Sequence, residues 1–182
     1  TAPPHCRRIQ AGILSWGQDM DNQHNPFQCN LGYQVSHSGK GKWDKQGDYI
    51  GKKVLEQISS DLKAGKKPYK LQLVGLKMGG KPIEDFAHDF WPISSNGVAA
   101  PCGFVTSPWY HPEKKTNIAM GYVPFDGTLN KHGLPIGNYG KKFMVHLPDK
   151  YAETVGEPVD AEIVKMPFTP SVNKNIREIF NK

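Results

Sequence analysis

Long apolar runs are what this chain most plainly lacks. No stretch approaches the ~20 residues that a membrane-crossing helix needs. With 37% hydrophobic residues over 182 positions and a mean hydropathy of -0.56, the composition suits a water-facing chain holding one domain with a real core, or one domain plus a lead-in segment. The start shows no order of charged, then apolar, then small residues, so no secretory signal is visible. Cysteine is scarce. Cys6, Cys29 and Cys102 are odd in number, far apart, and form no CxxC pair. That argues against a disulfide framework or a zinc site and fits a reducing, cytoplasmic setting. The seven histidines show no HExxH or other paired-ligand spacing, so no metal is expected. There is no internal repeat and no low-complexity tract. The first residue is Thr1 rather than Met, from which we expect processing or a piece of a longer chain.

Charge is present but unfocused. The net charge is +6, with lysines gathered at 40–45, 63–70, 114–115 and 141–142. A basic balance can serve nucleic acid. Here the cations are scattered, without the interleaved aromatics of a strand-binding groove, so nucleic acid is not an expected partner. A solvated surface is the first reading of these lysines and a small polyanionic ligand the second.

The most informative stretch is 8–31, RIQAGILSWGQDMDNQHNPFQCNL. Pro3 and Pro4 can open a helix, because a proline in the first turn gives up only an N–H that has no intrahelical partner. Ile9, Ile13 and Trp16 recur at i, i+4, i+7 as one apolar stripe, and Gly17 can close the helix in a left-handed conformation. At about 100° per residue, Arg8, Gly12 and Ser15 then line one edge of that stripe. A permanent cation stands there beside two small residues. It either packs its stem and holds its head in water, or waits for something to approach.

Downstream, 31–35 reads as a short strand and 36–47 as a Gly/Lys/Ser loop. Asp48 is a good N-cap for a helix carrying Ile50, Val54, Leu55, Ile58 and Leu62, with Gly65 as its stop. Gly51 in its first turn costs ~1 kcal/mol against alanine, which close packing would explain. From Tyr69 the period changes. Leu71 and Leu73, then Val74, Leu76 and Met78, alternate with a slip of parity that suggests a bulge. Residues 79–82 form a turn, and Asn96-Gly97 signals a hairpin. Further short strands fall at 103–107, 118–123, 143–147 and 159–164. Such strands between Gly-, Pro- and Asn-rich loops predict an antiparallel barrel or sandwich. Ser171 can cap a last short helix with Val172, Ile176 and Ile179.

The wording of the stretch at 8–31 resembles the Arg-Leu-Glu-Ala-Gly … Tyr-Gly-Asn-Asp signature of folate-dependent one-carbon transferases, the family of the glycine-cleavage T-protein and of dimethylsulfoniopropionate demethylase. Asn25-Pro26-Phe27-Gln28-Cys29 is similar to the demethylase branch. The resemblance continues in order through Asp48-Tyr49-Ile50-Gly51-Lys52, Leu73-Val74-Gly75-Leu76, Val105-Thr106-Ser107 with Lys115-Thr116-Asn117-Ile118-Ala119-Met120-Gly121-Tyr122-Val123-Pro124, and Lys165-Met166-Pro167-Phe168-Thr169-Pro170.

The resemblance implies a helical lead-in from a preceding folate-binding domain at 1–67, a T-protein-type antiparallel β-barrel domain at 68–170, and a tail or helix at 171–182. It implies that the intact protein moves a methyl or aminomethyl carbon to N5 of tetrahydrofolate. Its partners are then folate, a small one-carbon donor and the missing N-terminal folate-binding domains, with no membrane. Arg8 matches the family arginine at the folate or substrate site. Trp16 matches its aromatic position, with a core aromatic as the alternative to ligand contact. Both are candidate cofactor-binding residues; no catalytic residue is expected on this chain, which alone should be inactive. Three departures stand out. Gln10 replaces the usual glutamate. Pro108 replaces a glycine, followed by Trp109, Tyr110 and His111 in an expected exposed turn or packed corner. Asn173 stands where T-proteins carry a tyrosine. A second functional reading is a non-catalytic barrel that docks on, or completes, another chain's folate site.

Overall fold

From residue 71 onward the strand-forming segments close on themselves. The structure, a computed structural model, describes residues 5–35, 48–96, 98 and 100–168. Strands β1 (Leu71–Met78), β2 (Trp91–Ser95), β3 (Pro101–His111), β4 (Thr116–Pro124), β5 (Lys142–Val145) and β6 (Val159–Val164) form a closed barrel in the order β1-β4-β3-β2-β5-β6. Every neighbouring pair is antiparallel, β6 returning to β1. Of barrel and sandwich, the chain forms the barrel. Val74, Leu76, Ile93, Val105, Phe143 and Ile163 fill its interior, each contributing about 1.5–3 kcal/mol by leaving water.

β1 is buried on both faces. Val74, Leu76 and Met78 look inward, while Leu73 lies outside among Ile9, Ile118, Met120 and Tyr122. The bulge predicted at Leu73/Val74 is absent, since the register runs unbroken from Leu71↔Pro124 to Met78↔Asn117. Two-sided burial rather than an extra residue produces that apolar run. The bulge that does exist lies in β3, between Val105 and Ser107.

β3 also runs on through Pro108, Trp109, Tyr110 and His111, which corrects the expected turn. β2 pairs with β3 no further than Val105; beyond it the Tyr110 N–H donates to the Ile83 carbonyl. A proline costs no ladder bond where no second strand lies alongside. His111 is fully buried and Trp109 packs edge-on to His5, so these rings are wall rather than contact surface.

Helix α1 (His5–Gln10) is shorter than the periodicity predicts. Gly12 turns left-handed at φ +67, and the N–H groups of Ala11, Gly12 and Ile13 fold back onto Arg7, Ile9 and Arg8 carbonyls. Of the expected stripe Ile9 is buried, whereas Ile13 is 58% and Trp16 69% exposed. Trp16 is therefore not a core aromatic. The strand expected at 31–35 is a 3-10 turn over Gly32–Gln34, because Asn30 at φ +60 and a Leu31 N–H bonded to the Pro26 carbonyl curl the chain.

Helix α2 (Lys52–Lys63) starts later than Asp48. Gly51 holds φ +88 at its N-cap, and Asp48 Oδ1 accepts from the Tyr49 N–H instead. No atom lies within 4 Å of a Cβ at Gly51, so conformation, not close packing, accounts for this glycine. Gly65 ends the helix as expected: its N–H donates to the Leu62 carbonyl and that of Lys66 to Asp61, the paired bonds of a Schellman end. Leu62, with Leu55 and Ile58, packs on Phe27 and Phe125. The β2–β3 hairpin forms, its connection spanning 96–100. Pro3 and Pro4, the loop at 36–47, Gly97, Thr169-Pro170, the helix from Ser171 and Asn173 lie outside the described residues.

Candidate functional site

Three segments far apart in sequence meet on the outer face of β3 and β4. Helix α1 brings Arg8. The turn after it brings Gln18 and Asp19. The β3 bulge brings Thr106 and Ser107. In a regular strand consecutive side chains point to opposite faces. The register shift at Val105/Ser107 re-aims one of them, so both hydroxyls reach the same carboxylate.

That carboxylate is Asp19. Oδ1 accepts from Thr106 Oγ1 at 2.6 Å and Ser107 Oγ at 2.5 Å; Oδ2 accepts from Arg8 Nη1 at 2.7 Å and the Ser15 N–H at 2.9 Å. Its side chain is 0% exposed and that of Arg8 12%. A carboxylate so deep keeps its charge only with such a supply of donors. Arg8 is equally engaged. Nη1 also donates to the Ile13 carbonyl, Nη2 to Gln18 Oε1 and Ser107 Oγ, and Nε to His5 Nδ1. All five guanidinium N–H groups thus have an internal acceptor. The expected free cation at a helix margin is instead the hub of a clamp, because the turn at Gly12 brings Asp19 back beneath it.

Two further bonds tie the clamp down. Gln18 Nε2 donates to the Thr106 carbonyl at 2.9 Å, and the Tyr122 hydroxyl donates to the Asp19 carbonyl at 2.7 Å. Burial, then the neighbouring Cys29 thiol, pushes the Tyr122 phenol far up, so it stays protonated and donating. Cys29 lies 3.4 Å from that hydroxyl, and burial raises its thiol too, which leaves it un-ionised at neutral pH. These bonds fix the geometry of the clamp.

What it holds is the turn carrying Trp16. Trp16 bridges to Met20 across Gly17, which sits at φ +80. The exposed indole and Ile13 stand beside the node, and an aromatic rim continues from it: His5 meets Phe86 and Trp109 edge-on, and Phe104 stacks on Phe90. Arg8 at α1 is locked inside, and Trp16 on the turn that follows is presented outside. Asp19, Thr106, Ser107 and Tyr122 received no role from sequence, although each falls within the motif segments. An acid in a turn, with a Thr-Ser pair in a strand, is the one local signal in the sequence that fits them.

His5 makes the node sensitive to acid. Burial, then the Arg8 charge, lowers its pKa below 6.5, against a smaller opposing pull from Asp19. Burial, then Lys114, lowers that of His111, against Glu113. The folded state binds fewer protons than the unfolded chain, so stability is full above 6.5 and falls as pH drops below it. Urea unfolding between pH 7.5 and 5 should show this loss, and His5→Gln should flatten part of it. A flat profile in the unsubstituted chain would contradict the assignment.

Among the described residues, no group of three or more His, Cys, Asp or Glu is placed to hold a metal, and no helix is long and apolar enough to cross a membrane. Residues 72–169 match the family model of the glycine cleavage T-protein C-terminal barrel domain. An aminomethyltransferase from Synechocystis sp. is 33% identical over 79% of this chain and 34% of its own length. One from Nostoc sp. is 30% identical over 92% of this chain and 36% of its own. A dimethylsulfoniopropionate demethylase from Ruegeria pomeroyi is 32% identical over 66% of this chain and 28% of its own. The crystal structure of glycine cleavage system aminomethyltransferase T from Bartonella henselae superposes with a TM-score of 0.60 at 23% identity, over 89% of this chain and 37% of that one. The chain spans about a third of the length of these relatives. A six-stranded closed barrel, matched to that family model over more than half the chain, makes this protein a member of the glycine cleavage T-protein family, of which it carries the C-terminal barrel portion.

Proposed function

We propose that this chain is the C-terminal part of a cytoplasmic, tetrahydrofolate-dependent aminomethyl- or methyltransferase, with a lead-in at 1–67, the barrel domain at 68–170 and a tail at 171–182. The observation carrying this reading is the loop at 13–19, where an exposed indole is presented on a turn braced from behind by a fully bonded Arg8–Asp19 pair. Flat cofactor rings are held by such rigid aromatic faces. The residues present fit one wall of a folate chamber: Trp16 contacts a ring, and Arg8, its charge paired with Asp19, fixes the loop that presents it.

Tetrahydrofolate, when bound, takes up one carbon at N5. This chain's share is positioning and a fixed electrostatic environment. The preceding folate-binding domains complete the chamber, and the chain alone does not turn over a one-carbon donor. The second reading, a barrel that completes a separate chain's folate site, rests on the same exposed Ile13 and Trp16, with Phe86 and Phe90 nearby.

Tetrahydrofolate titrated into the full chain should quench its tryptophan fluorescence saturably. Trp16→Ala should weaken binding by calorimetry about tenfold, yet change stability by no more than about 0.5 kcal/mol, since the side chain is mostly solvated. Absence of any saturable change in the unsubstituted chain would overturn the proposal.

A further inference from the structure

A cavity of about 440 Å³ opens between the lead-in segment, the middle of β1, the end of β6 and the β4–β5 connection. Its size falls within the roughly 300–1,000 Å³ of small-molecule sites. It adjoins the loop after α1 through Ala11, Gly12 and Leu14, but none of the side chains bonded to Arg8, those of His5, Gln18, Asp19 and Ser107, lines it. We propose that it is a binding site for a neutral, flat, largely apolar molecule of one or two aromatic or heteroaromatic rings.

Charge carries the first part of the argument. The chain is 22% charged residues, yet no Asp, Glu, Lys or Arg is among the described residues around this cavity. Among the described residues an entering ion finds no counter-charge, and leaving water without one is costly. A carboxylated molecule, tetrahydrofolate included, is disfavoured for that reason.

Shape carries the second part. The floor is apolar, built from the buried Phe27 and Val74 and the half-buried Leu134, and the mouth is rimmed by Tyr33, His132 and Tyr139. Rings at the rim over an apolar floor suit an aromatic guest, which can stack while burying its faces. Covering that floor removes apolar surface from water, which favours such a guest. The walls also resist collapse. A Cβ at Gly137 would stand 2.7 Å from Ile163 Cγ2 and 2.9 Å from Val74 Cγ1; one at Gly32 would stand 2.8 Å from Phe27 Cδ1; one at Gly75 would stand 2.6 Å from Met166 Cγ. At all three glycines the chain segments already touch, so the space between them is held open by contacts on every side.

The test uses N-phenyl-1-naphthylamine, an uncharged two-ring fluorophore that brightens on leaving water, titrated into the full chain. A saturable 1:1 rise is expected. Ala11→Trp, at an exposed rim position, and Leu14→Trp, at a half-buried one, should each weaken the probe at least tenfold. Val155→Trp, on an exposed loop elsewhere, should leave it unchanged. Anilinonaphthalene sulfonate, similar in size but anionic, should bind at least tenfold more weakly, and tetrahydrofolate should not displace the neutral probe. Non-saturable binding, or indifference to both cavity-filling substitutions, would overturn the site. Displacement by tetrahydrofolate would overturn the claim of a neutral ligand and return the cavity to the folate chamber, whereas a failed folate titration would leave this site standing.

Discussion

Asp19→Ala is expected to lower the unfolding free energy by about 3–5 kcal/mol, the range for removing one partner of a buried ion pair. Three kinds of group lose their acceptor together. Arg8, 12% exposed, is left as a mostly buried cation. The hydroxyls of Thr106 and Ser107 and the Ser15 N–H lose the atoms they point at. Because Arg8 keeps a little water and four other acceptors, the lower half of that range is the better expectation. For a chain of this length it corresponds to a melting temperature lower by about 10 °C. Arg8→Ala should cost somewhat less, since Asp19 keeps its hydroxyl and backbone donors. The double variant should cost less than the sum, and the difference measures the pair itself. Urea unfolding followed by fluorescence and circular dichroism checks all three. A loss below about 1 kcal/mol for Asp19→Ala would mean that water replaces the missing carboxylate and that the node is no clamp.

The second large effect comes from a single methyl group. Gly103→Ala would place its Cβ 2.1 Å from the Tyr122 carbonyl oxygen and 3.2 Å from Val123 Cα. These are backbone atoms of the neighbouring strand and cannot swing aside as a side chain can. β3 and β4 must separate locally, and their pairing at Phe104↔Tyr122 is next in the ladder. Overpacking of this kind costs about 1–3 kcal/mol, and more when backbone must move, so a loss of about 3 kcal/mol is expected. The disturbance should also reach the site, because Tyr122 carries the hydroxyl that holds the Asp19 carbonyl. Hydrogen exchange along β3 and β4 should quicken in the variant. Unchanged exchange with unchanged stability would show that the strands have slack there.

Together these expectations explain why motif pieces so distant in sequence travel together. Arg8 lies on α1, Asp19 on the turn after it, Thr106 and Ser107 on a bulge, Tyr122 on the next strand, and each completes the bonding of another. The exposed indole of Trp16 stands on the turn that these bonds hold.

Several features were legible in the residues themselves. Alternating apolar positions between Gly- and Pro-rich turns marked β4 and β6 closely, and Gly65 marked the end of α2. These are local properties: each follows from side-chain period or from a backbone conformation that one residue type adopts with ease. Where local rules failed, a distant neighbour had taken over. The apolar run through Leu73 and Val74 mimicked a bulge because the lead-in segment covers the outside of β1. Trp16 fitted a helical stripe, but a left-handed Gly12 ends the helix before it. Pro108 signalled a turn, yet β3 passes through it because no strand lies alongside to demand its N–H.

By itself, then, the sequence determined a β-rich domain with a short lead-in, its family resemblance and the loop that matters. Side-chain period left barrel and sandwich open, the family resemblance implied the barrel that forms, and only the tertiary structure decided which groups surround Arg8. The reason is range: hydrophobic period and turn chemistry act over a few residues, whereas the partner of a buried charge is set by which segments the barrel brings within about 3 Å of one another.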